Sequence, residues 1–328
     1  MDQFQTAPAC WVVTDGKAGM QSQCVGLAEA LGYDPVIKQV ALRAPWRQLS
    51  PYFRMGHDYA FTKGSDPLLP PWPDLLIATG RHSIAASLYV REQSRRAGKR
   101  TVTVQIQNPV LSPRYFDLVI VPQHDRLSGP NVISTMGALH RITPELLKRE
   151  AEIFAPQVAH LPRPYIGVLI GGPNSAYSFG EEEMTRLARL LVRAADDGGG
   201  SLLVTPSRRT GERNMAILRE ILGARPAFIW DGTGANPYFG MLGLADYLVV
   251  TSDSVNMVSE AVAAAKPVHV FDLPGGTAKF GRFHAALRTR GLAHPFDGSL
   301  HSDVPDLPND DMARAVQAVR AAMCAAWG

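Results

Sequence analysis

The sequence has few of the features that mark secreted, membrane-spanning or nucleic-acid-binding proteins. Its three cysteines are odd in number and widely spaced, which argues against a disulfide framework or a zinc site. No run approaches the roughly 18 apolar residues that cross a bilayer. Residues 1–8 show neither the basic segment nor the apolar run of a secretory signal, and a net charge of +3 is too small to indicate nucleic acid. We therefore expect a cytoplasmic chain that binds no nucleic acid.

Strand-like stretches alternate with helix-like stretches along almost the whole sequence. In the first half we predict strands at 11–14, 36–40, 75–78, 102–106 and 118–121 and helices at 20–31, 82–97 and 143–154. After "HLPRP" (160–164) the pattern restarts, with strands in "YIGVLIGG", "SLLVTPS", "YLVVTSDS" and "PVHVFDL", a short strand at 227–230, and helices at 181–195, 211–222 and 255–265. The pattern predicts an α/β protein of two doubly wound, Rossmann-like domains, 1–160 and 161–328, that face a cleft.

The C-terminal stretch, Asp310 to Trp327, is alanine-rich with apolar residues at helical spacing. We predict a closing helix there. The proline-containing segment 295–309 before it is a crossing loop that could carry this helix back toward the first domain.

The opening stretch "WVVTDGKAGMQSQCVGLAEALG" (11–32) predicts a strand, a glycine-bearing turn and a helix. It is not a P-loop, because Lys17 precedes Gly19, and it lacks the three glycines of the dinucleotide fingerprint. Asp15 and Lys17 lie at the predicted carboxyl edge of the sheet, where ligands usually bind. A tight turn that merely requires glycine is the alternative.

The stretch "TSDSVNMVSEAVAAAKPV" (251–268) predicts a strand that leads into a capped helix. Ser252, Asp253 or Ser254 is a strong N-cap, and the free backbone N–H groups and helix dipole beyond it favour an anion such as a pyrophosphate. Glu260, about a turn and a half further on, could accept hydrogen bonds from a ribose diol. A plain capped helix with a solvated Glu260 is the alternative.

Three further loops of the second half fit the same ligand. Gly171 and Gly172 would let the backbone approach a phosphate, Arg208 and Arg209 suit bidentate phosphate contacts, and Trp230 could stack on a base. Each signal is weak alone, since an arginine pair is more often a solvated surface feature. Their position at successive strand ends is what favours a site.

In the first half, Gly80, Arg81 and His82 follow one predicted strand and Gln107 and Asn108 follow another. Side-chain amides at a strand end can equally well form hydrogen bonds within the protein core or bind the hydroxyl groups of a substrate. His140 is more typical of a structural histidine.

The segment 42–63 mixes Arg43, Arg47, Arg54 and Lys63 with aromatic residues. A solvated loop is the plainer interpretation of this segment. The alternative is peripheral contact with an anionic membrane at the inner face.

Several of these stretches together resemble a known family. "TDGKAGMQSQCVGLAEALG", "DLLIATGRHS", "QIQNP", "DLVIVPQHD", "NVISTMGALHRITPELL", "IGGPNSAYSF", "TPSRRT" and "TSDSVNMVSEA" are similar to the bacterial and plant "mitochondrial fission" domain family. More distantly, Ser259-Glu260 followed by "AVAAAKP" resembles the nucleotide-sugar motif of GT-B glycosyltransferases, in which the Glu holds the donor ribose.

The GT-B resemblance implies metal-independent sugar transfer from a nucleotide-diphosphate donor to an unidentified, lipid-linked or envelope acceptor, with no further cofactor. The expected donor contacts are Gly171, Gly172, Asn174, Ser175, Ser207, Arg208, Arg209, Trp230, Asn236, Ser252, Asp253, Ser254, Asn256, Met257, Ser259 and Glu260. The expected acceptor-side residues are Gly16, Gly19, Gln23, Gly80, Arg81, Gln107 and Asn108. Asp15 is the candidate general base, and Lys17 would stabilise developing charge.

Two other functions stay open. A nucleotide-sugar epimerase can share this architecture, and the chain could instead be a non-catalytic binding or division factor that kept the fold. If Asp15 is not the base, His82 and His140 are the next candidates.

Overall fold

The computed structural model describes residues 9–53, 55–304 and 310–327. The chain divides into two compact units: unit 1 comprises residues 1–141 and 309–328, and unit 2 comprises residues 142–308. No helix within the described residues is long and apolar enough to cross a membrane.

Unit 1 is built on a six-stranded parallel sheet with the order β2-β1-β3-β4-β5-β6. Its strands are β1 (Cys10–Thr14), β2 (Val36–Gln39), β3 (Leu75–Thr79), β4 (Val102–Ile106), β5 (Leu118–Pro122) and β6 (Val132–Thr135). Its helices are α1 (Ala18–Ala30), α2 (Trp46–Leu49), α3 (Ser83–Arg96) and the last helix, α10 (Asp311–Trp327). Alternate residues of β3 enter different clusters, Ile77 with α1 and α10 and Leu76 with α3. Both faces of the strand are therefore buried, which accounts for its continuous apolar run.

Unit 2 is built on a second six-stranded parallel sheet, with the order β12-β11-β10-β7-β8-β9. Its strands are β7 (Tyr165–Ile170), β8 (Ser201–Pro206), β9 (Ala227–Ile229), β10 (Tyr247–Thr251), β11 (Val268–Phe271) and β12 (His294–Pro295). Its helices are α4 (Pro144–Val158), α5 (Glu181–Gly198), α6 (Glu212–Leu222), α7 (Tyr238–Leu244), α8 (Val255–Ala263) and α9 (Ala278–Thr289). The predicted α/β class with doubly wound, Rossmann-like sheets is confirmed.

The units differ from the predicted domains at their boundary. The sequence suggested a division after residue 160, whereas the structure divides the chain after residue 141 and assigns α4 to unit 2. The physical reason is close packing of α7 on α4: a Cβ at Gly240 would lie 2.6 Å from the Cβ of Phe154, and one at Gly243 would lie 2.5 Å from the carbonyl oxygen of Leu147. The proline-rich stretch near 160 therefore lies inside unit 2.

The C-terminal helix does return to the first unit. Ala315, Val319 and Met323 of α10 are buried in the same cluster as the strands of unit 1. The Asp311 carboxylate also accepts a hydrogen bond from the Met136 backbone N–H at 2.6 Å. Part of the predicted crossing loop, residues 305–309, lies outside the described residues.

The glycine contacts of α7 give a stability prediction. Gly243→Ala should lower the free energy of unfolding by roughly 1–3 kcal/mol, because the added methyl group meets the backbone of α4 and forces the two helices apart. Urea denaturation monitored by circular dichroism measures this change.

Gly281→Ala is the matched control, because Gly281 also lies inside a helix but a Cβ there would have no neighbour within 4 Å. Removing that helical glycine should raise the free energy of unfolding by about 0.5–1 kcal/mol. Equal stability of Gly243→Ala and the wild type would show that the close helix contact is not required.

Candidate functional site

The strand order of unit 2 reverses between β7 and β10, which are hydrogen-bonded neighbours. Loops that follow two such strands diverge to opposite sides and leave a crevice at the carboxyl edge of the sheet, where ligands of α/β proteins bind. The loops 171–180 and 252–254 begin at this edge. Both loops were selected from the sequence, and the structure places them after neighbouring strands at the carboxyl edge of the sheet.

A buried carboxylate organises this edge. Asp253 accepts hydrogen bonds from the Thr251 hydroxyl at 2.7 Å, from the Gly172 N–H at 3.1 Å and from Nη2 of Arg209 at 2.8 Å. Arg209 also donates to the Gly172 carbonyl at 2.7 Å, while its side chain keeps 42% exposure. The Gly172 N–H and the Asp253 carboxylate are thus engaged within unit 2, and the Arg209 guanidinium is the member of this network that still faces solvent.

The two glycines are required by close approach of other groups. A Cβ at Gly171 would lie 2.1 Å from Oδ1 of Asp253, and one at Gly172 would lie 2.4 Å from the backbone of Arg209. The sequence suggested that these glycines admit a phosphate. In the structure, the space that a side chain would fill belongs to the Asp253 carboxylate and the Arg209 backbone.

Helix α8 begins at this edge with the predicted cap. The Ser254 hydroxyl accepts a hydrogen bond from the Met257 N–H at 3.3 Å, so Ser254 is the N-cap among the three candidates. Asn256 and Met257 lie half-buried in the first turn, and Ser259 is buried. The N-terminus of α8 therefore points its dipole and its first N–H groups toward the crevice edge.

Glu260 on α8 is buried and held by a residue that the sequence did not suggest. Its Oε2 accepts a hydrogen bond from the phenol of Tyr238, the first residue of α7, at 2.6 Å. Burial of the phenol and the negative charge of Glu260 keep the pKa of Tyr238 well above its usual value, so the phenol stays protonated and donates. The carboxylate is thereby oriented and is not a freely solvated surface group.

The remaining donor-side residues mostly shape their own loops. The Asn174 side chain accepts from the N–H groups of Ala176 and Tyr177, and the Asn236 side chain accepts from the Tyr238 N–H. Trp230 packs against the cluster around Phe154 and donates from Nε1 to Thr233. The Ser207 hydroxyl forms a hydrogen bond with the hydroxyl of Thr210, and the Ser252 hydroxyl accepts one from the Leu273 N–H. The side chains of Ser175 and Arg208 are exposed.

A cavity of about 510 Å³ adjoins this edge, lined by Ser252 together with residues that the sequence analysis passed over. Those residues include Tyr177, Gly275, Gly276, His284 and Arg288. Nε2 of the buried His284 lies 3.0 Å from the Ser252 carbonyl oxygen, which can only accept, so this nitrogen carries the proton. A strand followed by a glycine turn and a helix also occurs at 268–289, and this signal could have found the cavity.

In unit 1 the strand order reverses between β1 and β3, so the loops after these two strands border the corresponding crevice at the carboxyl edge of that sheet. Nζ of Lys17 lies 2.7 Å from Oδ2 of Asp15. Burial lowers the pKa of His82 below its usual value, the Asp15 carboxylate opposes this effect, and the Lys17 ammonium reinforces it. Asp15 and Lys17 therefore form an ion pair whose two charges act on the imidazole of His82.

Other predicted acceptor-side residues have local functions. Gly16 and Gly80 have φ angles of +84° and +89°, which glycine adopts at little cost. The Arg81 guanidinium donates to the carbonyls of Gln48 and Ser50, and so ties the loop after β3 to the turn that contains α2.

Gln23 is buried on α1, close to Gly19. Gln107 follows β4 with a φ of 70°, and the Asn108 side chain accepts from the Val110 N–H. Burial lowers the pKa of His140 to about 4, as expected for a structural histidine.

Comparison with solved structures shows the fold class. A UDP-GlcNAc 2-epimerase from Methanocaldococcus jannaschii, solved in complex with UDP-GlcNAc and UDP, is similar with a TM-score of 0.54 at 11% identity, over 95% of this chain and 99% of that one. MnaA of S. aureus, solved with UDP, has a TM-score of 0.52 at 11% identity, over 95% and 96% of the two chains. The likeness shows the GT-B-like, two-domain Rossmann-like fold.

Comparison with protein families and curated relatives is more specific. The mitochondrial fission protein ELM1 of Arabidopsis thaliana is 31% identical over 279 residues, which is 77% of this chain and 64% of the plant protein. The match therefore spans less than two thirds of the plant protein's length. The family model described as mitochondrial fission ELM1 matches residues 18–323, and the chain belongs to this family.

Proposed function

We propose that unit 2 binds a nucleoside diphosphate sugar and that the chain transfers the sugar to an acceptor held by unit 1. The observation that carries the proposal is the buried Glu260 carboxylate, oriented by Tyr238 and placed beyond the Ser254-capped start of α8. The helix N-terminus favours the diphosphate, and a fixed carboxylate accepts from both hydroxyls of a ribose. The exposed guanidinium of Arg209 supplies positive charge to the leaving diphosphate.

Unit 1 supplies the candidate acid–base groups. Asp15 is the proposed general base, with Lys17 stabilising the charge that develops as the glycosidic bond breaks. His82 is the alternative base, since an imidazole whose pKa is lowered is neutral at pH 7 and can take a proton.

We also propose that the segment 42–63 contacts an anionic membrane surface. Met55 is 75% exposed, and Tyr52 and Tyr59 are each 68% exposed. Exposed apolar and tyrosine side chains beside basic ones are typical of interfacial binding.

Trp46 organises this surface. Its indole donates to the Met55 carbonyl at 2.8 Å, its ring lies 5.7 Å from that of Phe53, and the Arg43 guanidinium lies over it. Arg47 and Lys63 add positive charge to the segment. Arg54 of the predicted basic set lies outside the described residues.

The proposed donor site is tested by contrasting variants in the two units. Glu260→Ala should weaken binding of UDP and UDP-GlcNAc roughly 5- to 150-fold, the effect of losing a charged hydrogen bond of about 1–3 kcal/mol. Asp15→Asn should leave this affinity unchanged and lower the rate of UDP release by about 10²–10⁴-fold. Calorimetry measures the affinity, and a coupled assay with a bacterial lipid extract as acceptor source measures the release.

Glu182→Ala, which removes an exposed glutamate of α5, is the control and should change neither quantity. Unchanged UDP affinity in a folded Glu260→Ala variant would contradict the donor site. Conversion of UDP-GlcNAc to its epimer without any acceptor would favour the epimerase, and binding without turnover would favour a binding factor.

The membrane proposal predicts salt-sensitive binding to vesicles of phosphatidylglycerol but not of phosphatidylcholine, because salt screens the attraction. Arg47→Glu combined with Lys63→Glu should reduce partitioning by at least about thirtyfold, since each basic residue near the surface contributes about 1 kcal/mol. Co-sedimentation measures the partitioning.

Tyr52→Ser should also reduce vesicle binding. Ile153→Ser, which removes a similarly exposed apolar side chain from α4, should not. A protein that ignores anionic vesicles at low salt would identify segment 42–63 as an ordinary surface loop.

A further inference from the structure

Three histidines of unit 2 pack ring against ring. His269 lies on β11, His294 lies on β12, and His301 lies in the segment that follows β12. The ring centroids of His294 and His301 are 4.9 Å apart, those of His269 and His301 are 5.9 Å apart, and those of His269 and His294 are 5.8 Å apart. Within the described residues no group of three His, Cys, Asp or Glu is arranged to hold a metal ion, so the trio is a stack rather than a metal centre.

The hydrogen bonds of His269 fix its neutral form. Its Nδ1 lies 3.3 Å from the Leu248 carbonyl oxygen, which can only accept, so Nδ1 carries the proton. Its Nε2 accepts from the backbone N–H of His301 at 2.8 Å. A proton added at Nε2 would remove this acceptor and break the bond to His301.

The surroundings of His269 oppose a positive charge. The side chain is fully buried, the Tyr247 ring of β10 lies 6.4 Å away and the Phe296 ring lies 6.3 Å away. The pKa of His269 is lowered to about 4, mainly by burial and to a smaller extent by His294 and His301, although the Leu248 carbonyl and the Asp297 carboxylate act in the opposite direction. Nε2 of His294 is also enclosed and has no hydrogen-bond partner among the described residues.

The histidine stack is one of several attachments of residues 294–304. Phe296 of this segment is buried in the core cluster of unit 2, and Leu300 packs against that cluster. Strand β12 has two residues and pairs with β11 only at His294 and Pro295. One further backbone bond follows, from the Phe296 N–H to the Val270 carbonyl at 2.9 Å. Residues 294–304 are where the chain leaves unit 2, ahead of α10 of unit 1.

We propose that the stack of His269, His294 and His301 is an acid-sensitive clasp that helps to hold residues 294–304 on the sheet of unit 2, and that protonation of His269 loosens it. The direction of the pH dependence follows from proton linkage, because the released segment binds more protons than the closed one. The closed state is therefore fully stabilised above pH 6.5, and its stability decreases as the pH falls toward 4. With the values 6.5 and about 4 for His269 alone, the opening equilibrium rises about thirtyfold between pH 8 and pH 5.

Hydrogen–deuterium exchange of the full chain tests the clasp. After correction for the intrinsic pH dependence of exchange, the protection of residues 294–304 should fall about thirtyfold from pH 8 to pH 5, and peptides from β8 should keep theirs. His269→Leu should lower this protection at pH 8 and remove most of its pH dependence. His160→Leu, at an exposed histidine of unit 2, should behave like the wild type.

If His269→Leu does not fold, imidazole nitrogen NMR of the wild type provides the second measurement. His269 should show the Nδ1-protonated tautomer at pH 8, and its protonation should coincide with a shift of the His301 amide. Corrected protection of 294–304 that is constant from pH 8 to pH 5 would overturn the proposal, as would protection that falls equally in wild type and His269→Leu.

Discussion

The buried carboxylate of Asp253 is the constraint on which the carboxyl edge of the unit 2 sheet depends. An unpaired charge at that depth would cost several kcal/mol, so the chain must supply donors from every side. They come from the loop after β7 through Gly172, from the end of β10 through Thr251, and from the loop after β8 through Arg209. Because Gly171 and Gly172 face this carboxylate and the Arg209 backbone, neither position tolerates a side chain. Ser254 follows Asp253 directly, so the start of α8 and the position of Glu260 follow from the same constraint.

Sequence periodicity was sufficient for most of the elements but missed helices α7 and α9 and the short elements α2, β6 and β12. Most of the predicted strands are continuous apolar runs, and their ends agree with the structure to within about three residues. Helices α7 and α9 were missed because Gly240, Gly243 and Gly281 interrupt the helical pattern, although two of these glycines are the reason why α7 fits against α4. The boundary at residue 141 could not be read from composition, since it depends on this helix contact, whereas the proline cluster near 160 marked only a turn inside unit 2.

The sequence was sufficient to predict where the candidate site lies, but not which hydrogen-bond partners its residues have. Strand ends followed by glycine, serine or arginine lie at the carboxyl edge in any doubly wound sheet, so their convergence could be expected. Whether the Gly172 N–H faces a phosphate or a carboxylate depends on Asp253, which is 81 positions away in the sequence. The same holds for Glu260, whose orientation depends on a tyrosine in a helix that the periodicity did not reveal. Residue type and spacing locate a site, and long-range hydrogen bonds decide which of its groups remain available.

The two sheet edges differ in how they use their polar groups, and this difference bears on function. In unit 2 the carboxylates of Asp253 and Glu260 are buried and hydrogen-bonded, a state that suits fixed recognition and provides no mobile proton. In unit 1 the exposed ammonium of Lys17 pairs with Asp15 near the half-buried imidazole of His82. Burial lowers the pKa of this imidazole, so it is neutral at pH 7 and can accept a proton. Under the proposed sugar transfer, the fixed carboxylates of unit 2 would hold the donor, and a basic group of unit 1 would accept the proton that the acceptor loses. A binding factor would need only the first of these two edges.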